Sequence, residues 1–384
     1  MFTAIKLVYT LINFCLAWSF LRTLYAAGVA RFWCWLGFAL VLAFSLAFPL
    51  SRLLEGNSLW VRGLNFAGTI WLAFVLHLLL LTLLWCVSRG LRRLWRQRPL
   101  PLLSPRLRLR GQGLRILGAL MLTAASWVNT QLPVAREIVL PAPAGMTRPL
   151  RVAALSDTHL GRLVSPRDFD RLVDLIEPFS PDLVLFAGDI IDDHFGLDVV
   201  ALNQSLARLS PRLGVWGALG NHEYHAGKGT AEKSLALLEA GGIRILRDAW
   251  TNLDDEVVLI GRDDRVRERY SDQSRKTLPE ILATLPAGLR ETPRLLLDHQ
   301  PFHLEEAEAA GVFLQLSGHT HNGQLFPFNA LVALIYENAH GHSRRGDTHY
   351  WVSSGAGTWG PRGRTTGRPE VLLIRLEPGL RNGN

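Results

Sequence analysis

Residues 152–161 read VAALSDTHLG, a short apolar run that ends on an aspartate and a histidine one residue apart. The run has the length of a buried strand, and Ser165 and Pro166 then open an amphipathic helix. The same device repeats downstream. LVLFAG (183–188) leads into Asp189 and Asp192, GVWGALG (214–220) into Asn221, His222 and Glu223, RLLLDH (294–299) ends on His299, and VFLQLSG (312–318) leads into His319 and His321. Helices are predicted near 198–209, from Thr230 to Gly241, and at 278–285 and 304–310; further strands are predicted at 243–247, 256–261, 350–353 and 370–376. The charged stretch from Arg262 to Lys276 reads as a loop. Such alternation predicts an α/β fold, with layered sheets flanked by helices.

Five of these strands end on groups that bind metal or move protons, and strand C-termini are where α/β proteins place their sites. Asp157-x-His159 and His319-x-His321 put two donors on one face of an extended segment, because side chains alternate there. A binuclear hydrolytic centre needs several imidazole and oxygen donors, a carboxylate able to bridge both ions, and open positions for water and phosphate. Glycines before Asp189, Asn221 and His319 allow tight turns beside such a centre.

In this order, the motifs D-x-H, G-D-x-x-D, G-N-H-E, H and G-H-x-H resemble the calcineurin-like metallophosphoesterase superfamily over about residues 148–378. The flanking text SDTHLG, GNHEYHAG and LSGHTHNGQLFPF is similar to membrane-associated bacterial phosphohydrolases of the YkuE and YaeI type. The resemblance implies two packed mixed β-sheets flanked by helices. It assigns Asp157, His159 and His321 to one metal, Asp189 to the bridge, and Asn221, His299 and His319 to the second metal. By the same resemblance His222 acts on the leaving oxygen or stabilises the transition state, Asp192 orients its ring, and neither ligates metal. Donors of this kind accept manganese, iron or zinc as two divalent ions.

The chain before this domain is of another kind. Residues 1–139 carry 15 Lys and Arg against 2 acids, and residues 140–384 carry 26 against 31, so the net +8 of the whole chain belongs to the first part. A nucleic-acid partner is therefore not expected for the rest. Four stretches, about 4–21, 32–50, 65–87 and 114–133, approach the ~20 apolar residues that cross a bilayer. The fourth is bordered by Arg115 and diluted by Ser126, Asn129 and Gln131, and a surface helix is its alternative. Tryptophans 18, 33, 60, 85 and 127 lie near the proposed ends, as interfacial anchors do. Cys15, Cys34 and Cys86 all fall in this module, so no disulfide can form within the catalytic one. The arginines from Arg89 to Arg115 read as a cytoplasmic loop, which places the catalytic module outside the cytoplasm, tethered to a bacterial inner or plasma membrane.

The expected organisation is a transmembrane helical module (1–134, about four spans), a catalytic domain (148–378) and a tail (379–384). The expected function is a membrane-anchored, two-metal phosphoester hydrolase. Its substrate would be a phosphorylated small molecule or lipid, such as a lipid phosphate or cell-envelope phosphoester. Competing readings are a protein or nucleotide phosphatase or phosphodiesterase on the same site, and a non-catalytic membrane receptor for phosphorylated ligands. The receptor would have lost the bridging carboxylate or His222, and both are retained. A transporter is disfavoured because the spans lack paired intramembrane acids. No sequence feature bears on oligomeric state. Histidines 194, 225 and 303 read as solvated loop residues, Arg344, Arg345, Arg362 and Arg364 as surface charges. The apolar segment Leu325–Tyr336 reads as core strand or helix, with a lipid-contacting loop as the alternative.

Overall fold

Strand residues of the second part alternate between two apolar environments, which requires a sheet covered on both faces. A computed structural model describes residues 2–97, 104–192, 197–225 and 229–379. The chain divides into two compact units: Met1–Val128 with Gly360–Gly363, and Asn129–Trp359 with Arg364–Asn384.

The first unit holds α1 (Phe2–Ala26), α2 (Arg31–Leu53), α3 (Leu59–Arg96) and α4 (Pro105–Thr130). Three helical segments, Leu7–Ala26, Arg31–Leu53 and Leu59–Trp95, are long and apolar enough to cross a membrane. They carry their large apolar side chains outward, Trp33, Trp60 and Leu83 among them, and join through polar contacts between helices. The Trp71 indole donates to Asn13 Oδ1 at 2.9 Å, the Tyr9 hydroxyl to the Ser45 carbonyl at 2.8 Å, and His77 Nδ1 meets Thr123 Oγ1 at 3.0 Å. The arginine-rich segment expected as a loop is mostly helix, because arginine is a good helix former: Arg89, Arg92 and Arg93 extend α3, and Arg106 to Arg115 lie on α4.

The second unit runs β1 (Val134–Pro141), β2 (Leu150–Leu155), α5 (Pro166–Ile176), β3 (Leu183–Ala187), α6 (Val199–Ala207), β4 (Val215–Ala218), α7 (Thr230–Ala240) and β5 (Arg244–Leu246). It continues with β6 (Ala249–Leu253), β7 (Val257–Gly261), α8 (Leu278–Leu282), β8 (Arg294–Leu297), α9 (Leu304–Ala309), β9 (Leu314–Ser317), α10 (Phe328–Ile335), β10 (Gly341–Arg345), β11 (Thr348–Val352) and β12 (Glu370–Glu377). Two six-stranded mixed sheets result, in the orders β1-β12-β2-β3-β4-β5 and β10-β11-β9-β8-β7-β6. Strands β2 to β5 run parallel, with β12 antiparallel to β2, and β7, β8, β9 and β11 run parallel, with β6 antiparallel to β7 and β10 to β11.

The period of two sets the layers. Leu183, Leu185 and Ala187 of β3 face Leu259, Leu295, Leu297, Leu314 and Leu316 of the other sheet, while Val184 and Phe186 face α5 and α6 through Phe169, Leu172 and Leu206. On the far side, Val258, Ile260 and Leu296 pack under α8 and α9. The α5 start is held by a reciprocal cap, Ser165 N donating to Asp168 Oδ2 at 2.9 Å and Asp168 N to Ser165 Oγ at 3.4 Å. Three strands lie outside the sequence pattern: β1, which continues the apolar text after α4, β6, whose composition is mixed, and β10, which is polar and charged.

The stretch read as a charged loop is an ion-pair cluster folded against β7. Asp263 is fully buried and takes Arg247 at 2.9 Å and Arg267 at 3.1 Å, and Asp298 takes Arg262 at 3.2 Å together with Arg275. Charges buried in this way need partners close by, and apart from the Asp263–Arg267 pair those partners, Arg247 and Asp298, come from outside the stretch.

Candidate metal centre

The sites line up where the two sheets meet. Loops after β2, β3 and β4 bring Asp157 and His159, Asp189 and Asp192, and Asn221 and His222; loops after β8 and β9 bring His299, His319 and His321. Three overlapping groups of donors converge: Asp157 with His159 and His321; Asp189 with His299 and His319; and His159 with Asp189 and His222. Asp157, His159, Asp189 and His299 are essentially without solvent exposure.

The backbone at these residues is unusual. Asp157, His159, Asp189, His319 and His321 all have φ between 48° and 70°, a left-handed region that costs a non-glycine residue on the order of 1 to 3 kcal/mol. Hydrogen bonds between loops hold them there: Asp157 N donates to Gly188 O at 3.0 Å, His159 N to Asp189 O at 3.1 Å, and His319 N to the Asp157 carboxylate at 3.0 Å. Gly188, at φ 83°, has the His299 ring so close that an added Cβ would lie 2.6 Å from Nδ1. A Cβ on Gly318 would collide with the Asp157 carboxylate and the Ser156 hydroxyl. These glycines thus let one donor loop pack on another; that contact between loops, instead of approach to an ion, is their steric reason.

Donor spacing tests whether metal fits. Two donors about 2.1 Å from one ion and at right angles around it lie about 3 Å apart. His159 Nε2 and His321 Nε2 are 3.0 Å apart, His321 Nε2 and Asp157 Oδ1 3.3 Å, His299 Nε2 and Asp189 Oδ2 3.1 Å, and His319 Nδ1 and Asn221 Oδ1 2.7 Å. His299 Nδ1 faces the Ala187 carbonyl at 2.8 Å, so it must donate there, which leaves the Nε2 lone pair for a ligand. That Nε2 and His159 Nδ1 are buried without a hydrogen-bond partner; the approach of His299 Nε2 to Asp189 has ion-pair distance but not hydrogen-bond direction. A polar atom placed so calls for something to bind.

Electrostatics agree. Burial, then the charge of His222, pulls His159 down to about 3, and burial with His299 takes His319 to about 3. Burial and the neighbouring His159 and Arg364 hold His321 well below the usual range. All three rings are neutral at neutral pH, the state that ligates. Burial opposes charge on Asp189, but His299 and His222 beside it hold its carboxyl well below the usual range; burial and the Asp189 charge push Asp157 up to about 6. Two carboxylates are buried together with these three neutral imidazoles. Against burial, Asp189 and Asp157 hold His299 well above the usual range, so a cation must displace a proton from that ring to complete the donor set.

His222 stands over this cluster, its ring 4.6 Å from that of His159. Its Nδ1 lies 3.0 Å from Asp192 Oδ1, and its backbone N–H donates to Asp189 Oδ1 at 2.8 Å. Burial lowers its basicity, but Asp189 and Asp192 outweigh that and raise it. The Trp359 ring meets it edge to face at 5.4 Å.

Other residues stand where the sequence did not place them. Arg364, read as a surface charge, is completely buried; its Nη2 faces His321 Nδ1 at 3.2 Å and donates to Gly357 O at 2.6 Å, and burial lowers its pKa to about 10. Nothing in the local text separates it from Arg344 and Arg345, which do lie at the surface paired with Asp347, Glu308 and Glu337. Glu223 is buried, its Oε1 accepting from Ile190 N at 2.7 Å and Ile191 N at 2.9 Å, and its Oε2 from Gly220 N at 2.7 Å. Its place next to His222 was the available signal. His225 is not a bare loop residue: its ring is 4.5 Å from that of His222, and Nε2 lies 3.2 Å from Asn221 Nδ2. His303 is exposed and sits 3.1 Å from Glu305, and His194 lies outside the described residues.

The calcineurin-like phosphoesterase family matches residues 150–323, which hold all nine of these site residues. An Aquifex aeolicus (strain VF5) protein named as an uncharacterized metallophosphoesterase is 32% identical over 233 residues, covering 59% of this chain and 85% of its own. The chain belongs to the calcineurin-like metallophosphoesterase family. A Helicobacter pylori (strain ATCC 700392 / 26695) metallophosphoesterase is 32% identical over 235 residues, 61% of each chain. A Danio rerio relative named transmembrane protein with metallophosphoesterase domain is 31% identical over 239 residues, 59% of this chain and 53% of its own. The match thus spans less than two thirds of the Helicobacter and Danio relatives. As a calcineurin-like metallophosphoesterase, the chain carries the family's motifs on strand ends that meet at one point.

Proposed function

We propose that this metallophosphoesterase is a membrane-anchored hydrolase of phosphoesters. The observation that carries the reading is the spacing of buried donors, four pairs from 2.7 to 3.3 Å apart around two positions. In this reading Asp157, His159 and His321 hold one divalent ion, Asn221, His299 and His319 the other, and Asp189 lies between both. Two ions of the manganese, iron or zinc type would neutralise phosphate oxygens and activate a water when bound.

The chain's own residues do the rest. Asp192 takes Nδ1 of His222 and so fixes which ring nitrogen faces outward. His222 gives its proton to the leaving oxygen as the bond to phosphorus breaks, and its acidic neighbours keep that proton available. Glu223 ties the Asp189 loop to the Asn221 loop, so bridging carboxylate and amide keep a common frame. The Trp359 ring covers one side of His222 and limits water there.

The domain division proposed is a helical module through about residue 134 and a phosphoesterase domain over 148–378, and β1 (Val134–Pro141), which lies between these bounds, pairs with β12 of the second. The arginine cluster supports a cytoplasmic position for the α3–α4 connection. An extracytoplasmic metal centre then requires α4, which is not among the three segments long and apolar enough to span, to cross as the fourth. The substrate class this favours is a lipid phosphate or cell-envelope phosphoester. The test is turnover of full-length, manganese-loaded protein on aryl phosphate mono- and diesters, phosphatidic acid, lipid-linked diphosphates, nucleotides and phosphopeptides. Hydrolysis that stops on chelation and returns with metal supports the reading. With two metal equivalents bound and no substrate turned over, a receptor for phosphorylated ligands would replace it.

A further inference from the structure

From Asn322 to Tyr336 the chain carries no charged residue, and it begins immediately after His321. Sequence analysis favours a core element here; the structure shows the opposite. Gln324 and Leu325 at its start are buried, but Phe328–Ile335 form α10, in which no residue is buried, and Phe326 is 54% exposed, Leu331 52%, Leu334 83% and Ile335 63%. A surface helix of the same domain looks different: α5 buries Phe169, Leu172, Val173 and Ile176 and turns Arg167, Arg171 and Asp174 outward. Helix α10 has no polar face of that kind to offer water.

The apolar face is held in place. Phe326 N donates to Thr365 Oγ1 at 2.7 Å, and Asn322 Nδ2 to Thr366 O at 2.8 Å. Gln324 makes a two-way bond with Trp359, Nε2 to the Trp359 carbonyl at 3.0 Å and Oε1 from the Trp359 N–H at 3.1 Å. At its far end Tyr336 packs on Phe302 at 4.6 Å and meets the His319 ring at 6.1 Å. Trp359, 45% exposed, belongs to the same fastened assembly and touches His222. One rim of the metal centre is therefore apolar, fixed and aromatic.

We propose that α10 is a lipid-contact element, its apolar face entering the outer margin of a bilayer leaflet so that the metal centre opens at the lipid surface. Three observations select lipid as the occupant. The chain carries three helices long and apolar enough to cross a membrane, so a bilayer is always within reach. Eight residues of helix are about 12 Å long, too short to span and suited to lying in the interface. Aromatic side chains Phe326, Phe328, Tyr336 and Trp359 cluster at the element, the residue class enriched at membrane–water boundaries. Contact with lipid goes beyond hydrolysis and is read without it.

The experiment uses full-length protein in phosphatidylcholine–phosphatidylglycerol vesicles, with the three native cysteines replaced and an environment-sensitive fluorophore on Leu334→Cys. Lipids carrying a nitroxide high on the acyl chain should remove most of its emission. A fluorophore on Val200→Cys, an exposed apolar position on α6, should keep its emission. Adding Leu331→Asp should bring the Leu334 probe to the Val200 level. Equal quenching at Leu334 and Val200, or quenching untouched by Leu331→Asp, overturns the proposal. So does an unquenched Leu334 probe whose unlabelled Leu334→Cys counterpart forms disulfide-linked dimers on oxidation, which would assign the face to a second copy. Turnover of a soluble aryl phosphate, measured on the same samples, reports separately on the hydrolase reading.

Discussion

The Glu223 carboxylate clamps Ile190: its Oε1 accepts the Ile190 N–H at 2.7 Å, while Oε2 reaches back to Gly220 N at 2.7 Å. One buried side chain thereby ties the loop after β3 to the loop after β4, the two that carry Asp189 and Asn221. Glu223→Gln leaves an amide N–H facing a backbone N–H. We expect a loss of about 1 to 3 kcal/mol in stability from the unmatched buried donor. Metal affinity should fall about 10- to 100-fold, as for other groups that orient ligands from behind. Thermal unfolding and metal titration check both; wild-type values in each would remove Glu223 from the site's framework.

Asp189→Asn should be the most damaging ligand substitution. Asp189 approaches His299 with one oxygen, at 3.1 Å, and accepts from His222 N with the other, at 2.8 Å, and an amide cannot offer two anionic oxygens. The variant is expected to bind fewer than two metal equivalents and to lose most turnover on an aryl phosphate. Elemental analysis showing full occupancy with near wild-type turnover would rule out the bridge.

His222→Ala should empty the acid without emptying the metal centre. We expect metal content to persist and kcat to drop by roughly 10²- to 10⁴-fold, most on esters with poor leaving groups. Asp192→Asn should give a smaller loss of the same kind, because it acts through the ring it holds at 3.0 Å. Loss of metal from His222→Ala would instead make it a ligand, as its grouping with His159 and Asp189 allows.

Metal binding should weaken in acid. In the metal-free chain burial and the charge of Asp189 hold Asp157 up at about 6, so below that pH a cation must displace a proton to bind. Above it the carboxylate is already ionised and His159 and His319, held to about 3, bring no proton, but the His299 ring, which Asp189 holds well above the usual range against burial, must still give one up to ligate. Affinity is expected to fall as pH drops from neutrality, because protons compete for His299, and to fall more steeply below about 6, where Asp157 is protonated as well. Calorimetric titrations in buffers of different ionisation enthalpy measure the released proton; an affinity unchanged well below that pH contradicts the account.

Orientation can be read from labelling in intact cells. With Cys15, Cys34 and Cys86 replaced, Asp272→Cys should react with a membrane-impermeant thiol reagent and Ser104→Cys should not; both native positions are exposed. No labelling at either position would put the metal centre in the cytoplasm with α4 on the membrane surface, labelling at both would put both outside without α4 crossing, and labelling of residue 104 alone would invert the topology.

Much of this protein is local and was readable as such. Apolar runs of strand length, caps such as Ser165, and donors at the strand ends are all written within a few consecutive residues, because hydrogen bonding and side-chain alternation act over that range. Long apolar helices declare themselves for the same reason. What the text could not show is which distant groups meet. His159 faces His321 across 162 residues of chain, and His299 rests on Ala187 across 112. Arg364 and Arg362 are alike in the sequence, yet only the packing of strand-end loops buries the first against His321. The stretch from Arg262 to Lys276 looked solvated because its partners Asp248 and Asp298 lie elsewhere in the chain. For Leu325–Tyr336, composition established that the segment is apolar; whether it turns toward the core or away from it depends on the loops that fasten its ends, and those came from residues 359 to 366. The sequence by itself determined the donors and the elements that carry them, since those follow from local chemistry. Only the tertiary structure decided their distances, their protonation and the side on which α10 lies, since these depend on contacts between residues far apart in the chain.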